Sequence, residues 1–208
     1  LYALFSTSAH PEYLKLYDSR EEPYYHFPFM KLADTRTLQQ SPGKEKPRIQ
    51  LGLHIDIFAL DGLPRYKWVA VPYLWFMRFL RHCCEMSVLT MGVKGRSLGK
   101  HGLVFLFKLM TFGAPPRFWH RLINRIAAHF PLQNSRWGGN AVWGYAVREL
   151  VPVECYGGAQ TVSFEGETFR SFGESDRYLR CIYGDYMTPP EQSERVGNHL
   201  VSCFRITD

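Results

Sequence analysis

Acid is what the middle of this chain has least of. From Arg65 to Phe130 the only carboxylate is Glu85, set against eleven Lys and Arg. That block carries +10 inside a chain of +6, which leaves −4 for everything else. Such a block either meets an anionic partner or is a solvated basic surface. The five cysteines (Cys83, Cys84, Cys155, Cys181 and Cys203) are odd in number and lack CxxC spacing. This argues against a structural zinc site and a disulfide framework, and fits free thiols in a reducing compartment. No P-loop, Rossmann glycine pattern, Ser/His/Asp order or HxxxH spacing is present. No low-complexity tract suggests disorder, and no apolar run approaches the ~20 residues that span a bilayer. The opening residues show no secretory leader pattern. The expected location is therefore cytoplasmic, peripheral at the inner membrane.

What is present suits a packed domain: 208 residues, 46% hydrophobic and 15% aromatic. The opening reads as a helix or loop, with Ser8 capping a short helix through Pro11–Leu16. Tyr24–Thr37 reads as an aromatic-rich strand or extended hairpin, followed by a polar turn over 38–47. Ile49–Ala59 alternates, with Ile49, Leu51, Leu53, Ile55 and Ile57 on one face and His54 and Asp56 side by side on the other. Asp61-Gly62 and Pro64 end that strand in a turn. Val71–Thr90 reads as a helix with a narrow polar stripe and a largely buried circumference. Gly102–Gly113 is apolar but short. Pro115-Pro116 opens a basic amphipathic helix. Its apolar face holds Phe118, Trp119, Ile123 and Ala127, and its polar face Arg117, His120, Arg121 and Arg125. That helix either lies on an anionic membrane or covers the core as an ordinary surface helix. Trp137-Gly-Gly139 reads as a loop. Val151–Cys155 and Thr161–Phe169 read as a hairpin joined at Gly157-Gly158, and Ser175–Tyr183 as a short helix capped by Ser175.

Asp56 stands out first. A carboxylate between Ile55 and Ile57 on a strand can ligate Mg²⁺, which takes one or two carboxylates and leaves the remaining positions to water and phosphate. A salt bridge is the simpler role for it. His54 on the same face reads as a hydrogen-bonding neighbour. Lys31 and Arg36 are candidate phosphate partners or solvated charges. Tyr183 and Asp185 read as a helix end and turn, or as a base-stacking ring and a hydrogen-bond acceptor.

These segments resemble a known family. Lys31-Leu-Ala-Asp-Thr-Arg-Thr37, His54-Ile-Asp-Ile-Phe-Ala-Leu-Asp-Gly62, Phe164-Glu-Gly166, Asp176-Arg-Tyr-Leu179, Tyr183-Gly-Asp-Tyr-Met187 and Pro189-Pro190 occur in the order seen in the LicD family. That family contains bacterial phosphocholine transferases and is similar to fukutin and fukutin-related protein. The likeness spans roughly residues 24–199.

The resemblance implies an α/β (α+β) fold, a nucleotidyltransferase-like mixed sheet with a basic helical insertion. Residues 1–64 would be part of the core, 65–135 the insertion, and 136–208 the strands and helix that complete the core. It implies metal-assisted transfer of a phosphorylated alcohol, such as phosphocholine or ribitol phosphate, from a CDP-linked donor to a hydroxyl of a surface glycan or lipid-linked glycan. Asp56 would be a catalytic carboxylate and the third ligand of a Mg²⁺ or Mn²⁺ ion. Lys31, Arg36, His54, Tyr183 and Asp185 would face substrate and nucleotide. Apart from the resemblance, the charge of the basic block suggests a lipid-linked or phosphate-rich acceptor at an anionic membrane surface, and no nucleic acid partner is expected. The family's glycine-rich turn and Asp-x-Asp motif lie upstream of the Lys31 element, and neither occurs in these 208 residues. Either a preceding segment carries them, or the chain is a truncated or non-catalytic member that binds an anionic glycan, a membrane surface or a protein.

Overall fold

A computed structural model of the chain describes residues 10–40, 49–89, 97–111, 113–142, 145–195 and 202–205. It is a mixed α/β structure with small antiparallel sheets and, among the described residues, four α-helices. The strands are β1 (Leu14–Tyr17), β2 (Met30–Asp34), β3 (Thr37–Gln40), β4 (His54–Ile57) and β5 (Asp61–Leu63). Helices α1 (Lys67–Ser87), α2 (Leu98–Met110) and α3 (Pro116–Ala127) follow. Next come β6 (Trp137–Gly139), β7 (Val151–Pro152), β8 (Gln160–Phe164), β9 (Glu167–Ser171), α4 (Ser175–Tyr183) and β10 (Ser202–Arg205). No helix among the described residues is long and apolar enough to cross a membrane.

The chain divides into two compact units. The first comprises Leu1–Phe58, Arg81–Leu122 and Val196–Asp208, and the second Ala59–Leu80 and Ile123–Arg195.

The first unit is built on the sheet β1-β2-β4, with β2 in the middle, and on the separate pair β3–β10. β1 forms where a helix was expected. Leu14 and Leu16 alternate with Lys15 and Tyr17, and pairing with β2 aligns Leu16 with Leu32. Tertiary pairing outweighs the local helical signal there. Ser8, the expected cap, lies outside the described residues. The β2–β3 turn uses nearly every side chain it has. Asp34 accepts from the Arg36 backbone N–H at 2.9 Å, and Thr35 donates to the Tyr13 carbonyl at 2.9 Å. Thr37 Oγ1 donates to the Asp34 carbonyl at 2.9 Å and accepts from the Leu53 N–H at 2.7 Å. The strand expected over Ile49–Ala59 shortens to His54–Ile57. Its anticipated apolar face is buried only at Leu51, since Leu53 and Ile55 are each 63% exposed.

α1 also differs from expectation. It starts at Lys67, and its buried residues are Ala70, Leu74, Met77, Leu80, Cys83 and Cys84. Trp68, Trp75, Phe76 and Phe79 are exposed rather than packed. α3 behaves as a surface helix over the core, burying Trp119, Ile123 and Ala127. His120, expected on its polar face, is buried, and Phe118, expected on its apolar face, is exposed. Arg117 donates to the Ser19 carbonyl at 3.0 Å and the Arg20 carbonyl at 2.7 Å, so its charge holds a loop.

In the second unit, β6 lies between β5 and β7. Trp137-Gly-Gly139 is therefore a strand, not a loop, and Asp61-Gly62 belongs to β5 rather than to a turn. Val151-Pro152 pairs with β6, so the expected hairpin through Gly157-Gly158 does not form. The hairpin is β8–β9, turned at Glu165 (φ 50°) and Gly166 (φ 83°). Positive φ at both central residues gives the turn the twist that suits a tight hairpin. α4 falls where expected and ends at Gly184 (φ 75°). Ser175 is its first residue rather than its cap, and its hydroxyl donates to the Phe172 carbonyl at 2.6 Å. Ile182 packs with Val151 and Cys155, flanked by Tyr156, Tyr178 and Cys181.

Candidate functional site

The antiparallel register of β2 and β4 sets Lys31 opposite Asp56 and Ala33 opposite His54. Directly opposed residues share a face, so Lys31, His54 and Asp56 converge. The Lys31 ammonium donates to Asp56 Oδ1 at 2.6 Å and to His54 Nε2 at 2.9 Å. The imidazole tautomer follows from its other nitrogen. His54 Nδ1 lies 2.8 Å from the Gly52 carbonyl, which can only accept. Nδ1 therefore carries the hydrogen, and Nε2 receives Lys31.

Gly52 makes this approach possible, since a Cβ there would overlap the Asp34 carbonyl oxygen. The same close approach lets the Asp34 N–H reach the Leu53 carbonyl at 2.9 Å.

Burial is unequal across the pair. The Lys31 side chain is 5% exposed and that of Asp56 33%. A desolvated ammonium is costly unless its donors are satisfied. Besides its two polar partners, Lys31 has the Phe27 ring at 4.4 Å and the Phe29 ring at 5.1 Å from its nitrogen. Rings at such distances offset part of the lost hydration through cation–π attraction. Phe29 in turn packs 4.5 Å from Phe58, and the buried Tyr25 hydroxyl closes the preceding turn on the Phe29 carbonyl at 2.7 Å. Burial, then the charges of Asp56 and Asp18, push the Tyr25 phenol up, so it stays a donor. Phe27 and Phe29 escaped the sequence reading. Their signal was the spacing Phe27, Phe29, Lys31, which puts all three on one face of an extended chain.

Arg36 is placed apart from this cluster. It chelates Asp34, with Nη2 at 2.7 Å from Oδ2 and Nε at 3.0 Å from Oδ1, and lies over the Tyr13 ring at 3.4 Å. Tyr183 and Asp185 belong to the second unit. Tyr183 meets Tyr145 edge-on at 5.3 Å, and that tyrosine pair pushes its phenol up to about 12. Asp185 accepts from Thr188 at 2.7 Å.

The donor set at Lys31 suits an anion more than a divalent cation. Among the described residues no group of three or more His, Cys, Asp or Glu could hold a metal ion. Asp56 offers a single carboxylate whose Oδ1 is already held by an ammonium. Mg²⁺ or Mn²⁺ is thus not accommodated by these residues alone.

A second polar cluster lies in the same unit and was not anticipated. His120 is 6% exposed, its Nε2 has no hydrogen-bond partner, and its ring centroid lies 6.4 Å from that of Tyr25. Burial, opposed by a backbone bond to Tyr25, lowers its pKa to about 4. Burial likewise lowers His26. The Cys84 thiol, pushed up to about 12 by burial, is an inert donor to the His26 carbonyl at 3.4 Å.

No family model, curated protein or solved structure matches the chain.

Proposed function

We propose that this chain belongs to a LicD-like transferase, moving a phosphorylated alcohol such as phosphocholine from a CDP-linked donor to a hydroxyl of a surface glycan. The supporting observation is the register pair Lys31–Asp56. Two segments that carry the sequence resemblance, far apart in the chain, pair so that their ionisable residues touch. A nucleotidyltransferase-like core is part of the same proposal.

In this reading Lys31 is the phosphate contact. Its ammonium is held ready by Asp56, by neutral His54 and by two aromatic faces, and Asp56 can yield Oδ1 when a phosphate oxygen approaches. An ammonium fixed before binding loses little entropy on engaging its anion. A bound Mg²⁺ or Mn²⁺ would neutralise charge on the donor phosphates. Because the described residues do not fit such an ion, no step is assigned to it. Tyr183, Asp185 and Arg36 are not part of the proposed contact.

The test is calorimetric titration of the full chain with CDP-choline, with and without Mg²⁺, alongside an assay for released CMP. Binding that weakens about ten-fold or more in Lys31→Met supports the reading. Undiminished binding by Lys31→Met, or none by the unaltered chain, sinks it. Binding without CMP release in any metal would favour the alternative, a non-catalytic member that holds an anionic glycan.

A further inference from the structure

Helix α2 is built inside out. Its inward stripe is His101, Val104, Phe107, Lys108 and Thr111, and of its thirteen residues only Val104 is buried. Phe107 lies 6.1 Å from the Trp119 ring of α3, and Lys108 donates to the Ser87 carbonyl at 3.3 Å. These contacts anchor the helix. The remaining surface is apolar and open to solvent. Leu98 is 89% exposed, Met110 73% and Leu109 62%, and Leu103, Phe105 and Leu106 are each more than half exposed. Gly99 and Gly102 complete that side, and a Cβ added at either would meet nothing within 4 Å.

Large apolar side chains gathered on one exposed face mark a docking surface. The charge around it selects the occupant. No Asp or Glu occurs between Glu85 and Glu149, while Lys100 and Arg121 lie in that interval. Lys100 is exposed on α2 itself. An apolar face set among cations without acids matches a surface that is hydrocarbon beneath and negatively charged above.

We propose that α2 is a membrane-surface helix. Its outer face enters the acyl boundary of an anionic bilayer, and Lys100 meets the headgroup phosphates. The helix has thirteen residues and lies in the plane of the interface, since spanning takes ~20. The contact differs from the one the sequence suggested, because Arg117 is committed to the Ser19 and Arg20 carbonyls. It is independent of the donor chemistry proposed above.

The test is co-sedimentation of the full chain with vesicles of phosphatidylcholine alone and of phosphatidylcholine mixed with phosphatidylglycerol. Binding to the mixed vesicles is expected to exceed binding to the neutral ones by about ten-fold and to weaken with salt. The variant Phe105→Ser/Leu106→Ser/Leu109→Ser alters exposed positions only. It is expected to keep the unfolding midpoint and lose vesicle binding by about ten-fold or more. In a second measurement, Phe105→Trp should gain emission that brominated acyl chains quench. Equal sedimentation by the serine variant, no binding by the unaltered chain, or no quenching at position 105 would overturn the proposal. A dimer in the absence of vesicles that the serine variant converts to monomer would also overturn it, by making a second copy the occupant.

Discussion

Lys31 and Asp56 meet across the β2–β4 ladder at 2.6 Å, the ammonium buried and the carboxylate one-third exposed. The two ends of the pair therefore respond differently to substitution. Removing the carboxylate strands a buried cation, whereas removing the ammonium leaves an anion that water can reach.

Asp56→Asn is expected to keep the fold, because the amide oxygen still accepts from Lys31. It should lower stability by about 2 kcal/mol through loss of the charged partner. Chemical denaturation measures this. If the chain turns over CDP-choline, the catalytic role that the LicD resemblance implies for Asp56 predicts that CMP release vanishes in this variant, whereas near-normal release would leave Asp56 only the role of holding Lys31.

Gly52→Ala tests the scaffold rather than the chemistry. A Cβ would overlap the Asp34 carbonyl oxygen, a backbone atom with no side-chain freedom to move away. A loss of about 2 kcal/mol or more is expected, with faster amide exchange at Asp34 and Leu53. An unchanged midpoint would mean that β2 and β4 do not approach as described.

Part of this site could be read directly from the residues. Period-two alternation alone placed His54 and Asp56 on one face, and the structure keeps them there. That Lys31 joins them depends on strand register, which sequence spacing does not specify. The same limit explains the missed strands. Trp137-Gly-Gly139 is two-thirds glycine and is a strand because it pairs with β5 and β7, while Val151-Pro152 was expected as a strand but with the wrong partner. Glu165-Gly166 did carry a turn signal, yet the Gly157-Gly158 pair offered a competing one. α4 was legible at both ends, since Gly184 marks its stop. α1 was legible as a helix, but its buried circumference was overestimated because hydrophobicity alone does not say whether Trp75 and Phe79 have neighbours.

His120 gives the fold a pH dependence of definite sign. Its pKa is about 4 in the folded chain against an ordinary 6.5, so the unfolded chain binds the extra proton first. Stability from this residue is complete above pH 6.5 and is lost as pH falls toward 4, by at most about 3 kcal/mol. His26 shifts the same way. Urea midpoints measured at neutral and mildly acidic pH should diverge for the unaltered chain and diverge less in His120→Gln, with His26 supplying the remainder.

Arg36→Ala separates a turn residue from a phosphate ligand. Its pair with Asp34 lies within an exposed turn, so the unfolding midpoint should hardly move. Affinity for CDP-choline should stay within about two-fold. A ten-fold loss would bring Arg36 back as a donor contact.

Among the described residues β4 ends its sheet, and Ile55 is exposed on it next to Asp56. A bare strand edge with apolar side chains recruits another edge, and a second molecule is the nearest supply of one. Chain that associates there would cover the carboxylate beneath it. The fraction of molecules able to receive an anion would then fall as the protein is concentrated, making dilution an activating condition.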